Sequence, residues 1–442
     1  MVISGIHTVP GDKSLTHRAL FFASLARGES VIHGPLTSLD ARSTAKLLRA
    51  VGVAVGPLVA RDSRLASPQP LRVRGRAWHR PAAPLHCGNS GTTVRLGLGL
   101  MAGRRFSATF TGDRSLRRRP MRRVWALLEQ MGARIRTGGR ADGPTGSNSD
   151  GLPLTITGGK LRAASFQLPA SSAQIKGAVL FAGVVGGVPV SLVEPNGLSR
   201  DHTERMLLHF GYQVAIRRSA DPSVRPVSIE FQPSGTITPF EARIPGDISS
   251  AAFLLGAALL AESGEILLRD VGVNPTRDGF LCVIARMGAA VTRENPRNWL
   301  GEPVADLVAR PAMLRATTVK AGEIPGLIDE IPMLAVLASR AEGTTRFEEV
   351  GELRVKESNR LVLIAENLTR LGVEAKVEGN DLMVTGTHKP PRGRVVTEAD
   401  HRIAMAFAVL GTVKGARVSV DDMDCAAVSF PGFEDSLRRL RR

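Results

Sequence analysis

One local pattern recurs along this 442-residue chain and restricts its fold more than any other feature. A helix-like run ends in glycine, and alternating apolar residues follow. The copies are Leu47-Leu48-Arg49-Ala50-Val51-Gly52-Val53-Ala54-Val55, Leu127-Leu128-Glu129-Gln130-Met131-Gly132-Ala133-Arg134-Ile135 and Leu207-Leu208-His209-Phe210-Gly211-Tyr212-Gln213-Val214. Two more are Ala285-Arg286-Met287-Gly288-Ala289-Ala290-Val291 and Leu368-Thr369-Arg370-Leu371-Gly372-Val373-Glu374-Ala375. The glycines fall at 52, 132, 211, 288 and 372, so 80, 79, 77 and 84 residues apart. Each copy reads as a helix closed by a left-handed glycine that feeds a strand. Five copies at near-constant spacing predict a repeated supersecondary unit. A sixth helix, Phe433 to Leu440, ends before its own glycine would fall.

A second echo divides the chain. Val9-Pro10-Gly11-Asp12-Lys13-Ser14-Leu15-Thr16-His17-Arg18 opens an apolar run, Ala19 to Leu25, that reads as a helix. Ile244-Pro245-Gly246-Asp247-Ile248-Ser249-Ser250 repeats the turn without its cations, again before an apolar helix. Six units in two halves predict two similar three-unit domains, with crossovers near residues 11 and 246. Residues 138–151 are rich in Gly, Ser and Asp and read as a loop; residues 62–83 are Pro/Arg-rich and give no clear reading.

Composition narrows the class of protein. The chain carries 58 Lys and Arg against 41 Asp and Glu, a net charge of +17, which favours anionic ligands. A nucleic-acid partner would want aromatic stacking platforms, yet aromatics are 4% with a single tyrosine. Clustered cations appear only at Arg114 to Arg123 and in the Arg438 to Arg442 tail. No apolar run is long enough to span a membrane, and no basic-then-apolar signal opens the chain. Cys87, Cys282 and Cys425 are scattered, with no metal-ligand or disulfide spacing, which fits a reducing cytoplasm.

Polar stretches stand where helices are expected to start. In the opening loop, Lys13 is a mobile point charge and Arg18 a planar fork suited to carboxylate or phosphate. A capped helix with both cations in solvent would carry the same letters. Cys87-Gly88-Asn89-Ser90-Gly91-Thr92 precedes a helix and lets backbone approach a ligand at Gly91, but lacks the Gly-Lys-Ser/Thr of a Walker A loop. In Arg117-Arg118-Arg119-Pro120, Pro120 reads as a first-turn helix residue and Arg119 as the cation held by the turn. Ser171-Ser172-Ala173-Gln174 reads as a helix cap. Acids lead three apolar or mixed-charge stretches: Ile328-Asp329-Glu330-Ile331, Lys356-Glu357-Ser358-Asn359-Arg360 and Asp400-His401-Arg402. An acid beside several cations stays ionised and can act as a base, while a shielded one can be tuned to donate.

These motifs, in this order, resemble the 5-enolpyruvylshikimate-3-phosphate synthase family across nearly the whole chain. The carriers are Pro10-Gly11-Asp12-Lys13-Ser14 with His17-Arg18, Gly88-Asn89-Ser90-Gly91-Thr92, Gly112-Asp113 with Arg119-Pro120-Met121, Ser199-Arg200-Asp201-His202-Thr203-Glu204, Leu353-Arg354-Val355-Lys356-Glu357-Ser358 and Asp400-His401-Arg402-Ile403-Ala404-Met405. The resemblance implies an α/β (α+β) fold of two similar domains, 1–11 plus 246–442 and 12–245, each of three βαβαββ units in an inside-out α/β barrel. The active site is expected in the cleft between them. It implies transfer of the enolpyruvyl group of phosphoenolpyruvate to the 5-hydroxyl of shikimate 3-phosphate, releasing phosphate, with no metal or organic cofactor. Lys13, Gly91, Arg119, Gln174, Arg360 and Arg402 would hold phosphoenolpyruvate, and Asn89 would also bind substrate. Ser14, Arg18, Ser172, Ala173, Arg200, Asp329 and Lys356 would hold shikimate 3-phosphate. Glu357 would donate the proton and Asp329 act as base, with Lys13 assisting and His401 close by. A cytoplasmic monomer, with no nucleic-acid or membrane partner, is the form implied.

Three positions depart from many members. Val428 stands where a C-terminal-loop lysine is common, and Ala173 and Glu352 replace Ser and Asn. With Ser199-Arg200-Asp201-His202, they put the chain nearer the branch called class II. Gly91 leaves room for glyphosate, so sensitivity to that inhibitor is expected. The nearest rival is UDP-N-acetylglucosamine enolpyruvyltransferase, which should show Lys-Asn in the opening loop and a reactive Cys in an Arg-rich loop. Here Ser14 follows Lys13, and residues 111–123 contain no cysteine.

Overall fold

The computed structural model describes residues 2–58, 69–138, 150–219 and 226–441, so most of the expected loop at 138–151 and part of 62–83 lie outside them. The chain separates into two units. The first comprises 1–12, 245–299 and 303–442; the second comprises 13–244 and 300–302.

The repeated glycines close helices by one mechanism. Gly52, Gly132, Gly211, Gly288 and Gly372 all take positive φ, between 79° and 119°. In each case the glycine N–H donates to the carbonyl three residues back, and the next N–H to the carbonyl five back, as in Val53 to Leu48 and Val373 to Leu368. This is the Schellman arrangement, which satisfies the last carbonyls of a helix. The residue after each glycine (Val53, Ala133, Tyr212, Ala289, Val373) is buried, which seats the outgoing strand against the helix it has just left.

Among the described residues, five of the six repeats build the same small sheet. In one, Leu85–His86 runs parallel to Ser107–Thr111, which pairs antiparallel with Leu154–Thr157, which pairs antiparallel with Arg134–Thr137. The same strand order recurs in four other four-stranded sheets, while the last repeat keeps only the parallel pair Arg392–Val395 and Arg417–Val420. Strands alternate buried and accessible residues, as in Leu71–Gly75, so each sheet offers one face to the core. The two discontinuous sheets explain the Pro-Gly-Asp echo. Gly5–His7 pairs with Ile266–Gly272, and Glu241–Arg243 pairs with Gly28–His33. The chain therefore leaves one strand in each sheet and departs. The crossovers bond to each other, with Asp12 N–H donating to Pro245 O at 2.8 Å and Asp247 N–H to Pro10 O at 2.9 Å.

Helices fall into two kinds. Outer ones are amphipathic; Arg122–Met131 buries Val124, Leu127, Leu128 and Met131, one stripe at helical spacing. Inner ones are apolar nearly all round. Every residue of Ile248–Leu259 and of Ile331–Ala338 is buried, and with His401–Leu410 they pack together at the centre of the first unit. In the second unit Lys13–Leu25, Gly91–Ala102 and Ala173–Gly186 hold the corresponding places. An all-apolar helix must be enclosed, so the sheets lie outside and the helices inside. The helix expected from Ala19 thus begins at Lys13. Pro120 stands before the helix Arg122–Met131, with Met121 at its N-cap, rather than in the first turn. Arg119 instead ends the short helix Arg114–Arg118, whose cap is Asp113.

Candidate active site

The inner helices of the second unit begin with no acid in their first turns. Their first-turn N–H groups and positive dipole ends carry no acid of their own, an arrangement receptive to anions, although Asp12 directly precedes the first of these helices. Lys13 is the first residue of its helix, and its Nζ lies 3.3 Å from Asp40. Arg18 is 2% exposed, which rules out the solvated reading. Its Nε donates to Thr203 Oγ1 at 2.8 Å, Nη1 to Ser14 O at 3.1 Å and Nη2 to Ala173 O at 3.2 Å. One buried guanidinium thereby joins three of the stretches singled out above.

Gln174 links the next two. Its Nε2 donates to Thr92 Oγ1 at 2.9 Å, and its Oε1 accepts from Arg95 Nη1. Arg95 Nη2 reaches Pro120 O at 3.3 Å, and Arg119 donates to Asn89 Oδ1. A Cβ at Gly91 would lie 2.7 Å from Arg95 Nη1 and 3.6 Å from Arg119 Nη1, so a side chain there would push Arg95 aside and touch Arg119. Ser172 takes the N-cap place of Ala173–Gly186 but makes no capping bond, contrary to the cap reading. Arg200 stands in the loop that leads into His202–His209.

Two buried networks support this half and were not visible as sites in the sequence. Lys176, fully buried in an apolar helix, pairs with Glu194 at 2.9 Å and Glu204 at 2.7 Å and donates to Ser199 O at 3.1 Å. Ser199 N–H in turn donates to Glu194 at 2.9 Å, so the ion cluster pins the start of the Ser199–Arg200 loop. The only signal was a lysine inside an apolar run. The second network runs from His17 to the cap of helix Gly91–Ala102. Thr93 Oγ1 donates to Ser90 Oγ at 2.8 Å, so Thr44 must donate to Thr93 (2.7 Å) and His17 Nδ1–H to Thr44 (2.6 Å). Burial lowers the His17 pKa to about 3, so at neutral pH the ring is neutral, and its one proton stands on Nδ1. Cys87, beside Gly88-Asn89, is buried, and burial pushes its thiol up to about 12; it is no nucleophile at neutral pH.

The inner helices of the first unit all start from acids. Asp247, Glu330 and Asp400 occupy the N-cap positions of its inner helices. Arg360, 1% exposed, gathers three carboxylates: Asp400 at 2.8 Å, Glu357 at 2.6 Å and Asp329 at 3.6 Å. Arg402 closes on Asp329 from elsewhere, with Nη1 donating to its carbonyl at 2.9 Å and Nε 3.9 Å from its carboxylate. Burial alone would raise the Asp400 carboxyl, but Arg360 and His401 outweigh it and hold it below the usual range. His401, the residue after Asp400, is buried. Burial outweighs Asp329 at Lys356, whose ammonium is lowered from its ordinary value. Val428 ends the short 3₁₀ turn Asp424–Val428 and brings no charge there.

Within the second unit, then, Ser14, Arg18 and Ala173 share one set of bonds, and Asn89, Arg119 and Gln174 another beside Gly91. Within the first, Asp329, Glu357, Arg360 and Arg402 meet directly. Comparison with known proteins agrees with the chemistry. A family model of EPSP synthase (3-phosphoshikimate 1-carboxyvinyltransferase) matches residues 2–437. A 3-phosphoshikimate 1-carboxyvinyltransferase of Gloeobacter violaceus is 45% identical, covering 100% of this chain and 97% of that one. One of Desulforudis audaxviator is 43% identical, covering 98% and 96%. The solved EPSP synthase of Acinetobacter baumannii superposes with a TM-score of 0.84 at 34% identity, covering 99% of this chain and 96% of that one. The enolpyruvyl transferase NikO of Streptomyces tendae, at 19% identity and a TM-score of 0.70, shares the fold. Repeat architecture, buried arginine hubs and full-length similarity lead to one conclusion: the chain belongs to the EPSP synthase family and is a carboxyvinyl-transferring enzyme of the shikimate pathway.

Proposed function

We propose that the carboxylate–arginine cluster of the first unit carries out the proton transfers, and that the cationic helix starts of the second unit hold the phosphates, on one bound pair of substrates. The observation that carries this reading is Arg360, which places Asp329 and Glu357 on a single guanidinium. Asp329 takes the proton of the shikimate 3-phosphate 5-hydroxyl as its oxygen bonds to C2 of phosphoenolpyruvate. Glu357 gives a proton to C3, which becomes a methyl group. In the resulting adduct the C2–O bond to phosphate breaks, a methyl proton returns to carboxylate, and the enol ether is restored as phosphate leaves. Lys13, Arg119, Arg360 and Arg402 stabilise the charge that develops on the leaving phosphate. Gln174 and Asn89 orient Arg95 and Arg119 around phosphoenolpyruvate, while Ser14, Arg18, Ser172, Ala173, Arg200 and Lys356 surround shikimate 3-phosphate. His401 stands next to the Asp400 cap and helps keep that carboxyl ionised opposite Arg360.

No described helix is long and apolar enough to cross a membrane. A cytoplasmic monomer acting on small-molecule substrates is the form we propose. The test is phosphate release from phosphoenolpyruvate. Release only when shikimate 3-phosphate is present supports the reading; release with UDP-N-acetylglucosamine instead overturns it. Glyphosate in the same assay should inhibit, because Gly91 carries no side chain toward Arg95 and Arg119.

Lys356 adds a pH signature. Its ammonium is charged below its pKa, and that pKa is depressed by burial. As pH rises through it the cation is lost, so KM for shikimate 3-phosphate should climb at a pH below the ordinary lysine value of about 10.4. Lys356→Arg should carry that rise to higher pH. An unchanged KM profile in the arginine variant would remove Lys356 from the binding set.

A further inference from the structure

The first unit holds a third buried arginine, besides Arg360 and Arg402, that the assignments above leave unused. Arg277 lies in an Asx-stabilised turn ahead of helix Gly279–Arg286, with Thr276 N–H donating to Asn274 Oδ1 at 2.8 Å, and is 3% exposed. Its Nη2 donates to Ser249 Oγ at 2.7 Å and to Glu330 Oε1 at 3.1 Å. Nη1 approaches Glu330 Oε2 at 3.4 Å, and Asp247 lies 3.7 Å away. Glu330 also accepts from Ser249 Oγ. Asp247 and Glu330 stand at the starts of two inner helices, so this one fork ties both together. Arg360 ties the third through Asp400.

The neighbouring acids Asp329 and Glu330 thus answer to different arginines. Asp329 faces Arg360 and Arg402; Glu330 faces Arg277. The peptide between them is held from both sides. Stability does not explain the device, because a buried ion pair is commonly matched or bettered by apolar residues of the same volume. Holding a reacting carboxylate to within a fraction of an ångström does explain it.

We propose that Arg277 and Glu330 are a positioning pair for the reaction, fixing where the Asp329 carboxylate points and supplying part of the positive charge around it. This rests on Asp329 being the base. The charged groups concerned are Arg360, Arg402, Lys356 and Arg277 about Asp329, and Glu330, Asp247, Asp329 and Asp12 about Arg277. Asp329 counts among the carboxylates that raise Arg277 above the ordinary arginine value against the opposing effect of burial.

The test compares Arg277→Gln, Arg277→Lys, Glu330→Gln, the double variant R277Q/E330Q and Asp329→Asn in the full chain. It reads kcat, both KM values, the acid limb of kcat against pH, and the urea midpoint. Arg277→Gln should lower kcat about 10- to 100-fold with both KM values within about threefold. Its acid limb should move to higher pH, because Asp329 loses a nearby cation and is protonated more readily as pH falls. Arg277→Lys keeps the charge and should keep the limb while losing part of kcat with the fork. The double variant removes the two opposite charges of the pair together, so its urea midpoint should return toward wild type while kcat and the limb do not. A double variant that regains kcat together with stability would reduce the pair to a structural element and overturn the proposal. So would a folded Arg277→Gln with unaltered kcat and limb while Asp329→Asn collapses, and that result leaves the base assignment standing. Full turnover in Asp329→Asn would instead remove the base assignment, and the positioning role with it.

Discussion

Glu357→Gln and Asp329→Asn should each cut turnover by roughly 10²- to 10⁴-fold while the chain stays folded. Both amides keep the size and one acceptor oxygen of the acid, so Arg360 retains its partners in outline. Neither amide can give or take the proton that the reaction requires. The Asp329 backbone is held independently, since Arg402 donates to its carbonyl at 2.9 Å, and this contact survives in the asparagine variant. Glu357 pairs with Arg360 at 2.6 Å by charge, and the glutamine oxygen keeps a partial negative charge at that place. The loss should therefore fall on kcat more than on KM. Single-turnover phosphate release, beside a near-UV spectrum to establish folding, checks this. Near-normal turnover in either variant would strike that residue from its role, and a drop confined to KM would recast it as a binding group.

Lys176→Met should be the most destabilising single change in the second unit, costing about 3–5 kcal/mol in urea unfolding. Lys176, Glu194 and Glu204 are all fully buried, so removing the ammonium leaves two carboxylates close together and away from water. Burial already raises the Glu204 carboxyl above the usual range even with the lysine beside it. A carboxyl raised in the folded state lends stability at low pH and loses it as pH rises through the folded value. The penalty of Lys176→Met should accordingly shrink toward acid, where protonation neutralises the pair, and grow toward alkali. Combining it with Glu194→Gln and Glu204→Gln should recover most of the loss. The Ser199–Arg200 loop hangs on this cluster through Ser199, so KM for shikimate 3-phosphate should rise more than KM for phosphoenolpyruvate. A pH-independent penalty, or equal effects on both KM values, would contradict this account.

The two predictions concern residues of very different visibility. Asp329 and Glu357 stand in short stretches where acids and cations alternate just ahead of helices, so one reading of the chain finds them. Lys176 is a single letter in an apolar run, and its partners lie 18 and 28 positions away, at Glu194 and Glu204. Arg277 is harder still, because nothing near Asn274-Pro275-Thr276-Arg277 hints at Glu330, 53 residues on. Arg18 could have been a solvated cation as easily as the buried fork that joins Ser14, Ala173 and Thr203. Pro120, read as a first-turn residue, falls outside the helix because Arg114–Arg118 forms a helix of its own just before it.

The division has a physical basis. Features that close within about six residues are written in the chain itself. The five Schellman glycines, the buried residue after each, the apolar inner helices and the Pro-Gly-Asp crossovers depend only on local backbone and hydropathy, and by themselves they determined a six-fold repeat in two halves. Which strand the crossovers leave in which sheet, and which arginine answers to which carboxylate, were decided only by the tertiary structure. Whether a charge is solvated or paired depends on burial and direction, and those exist only once distant segments have packed.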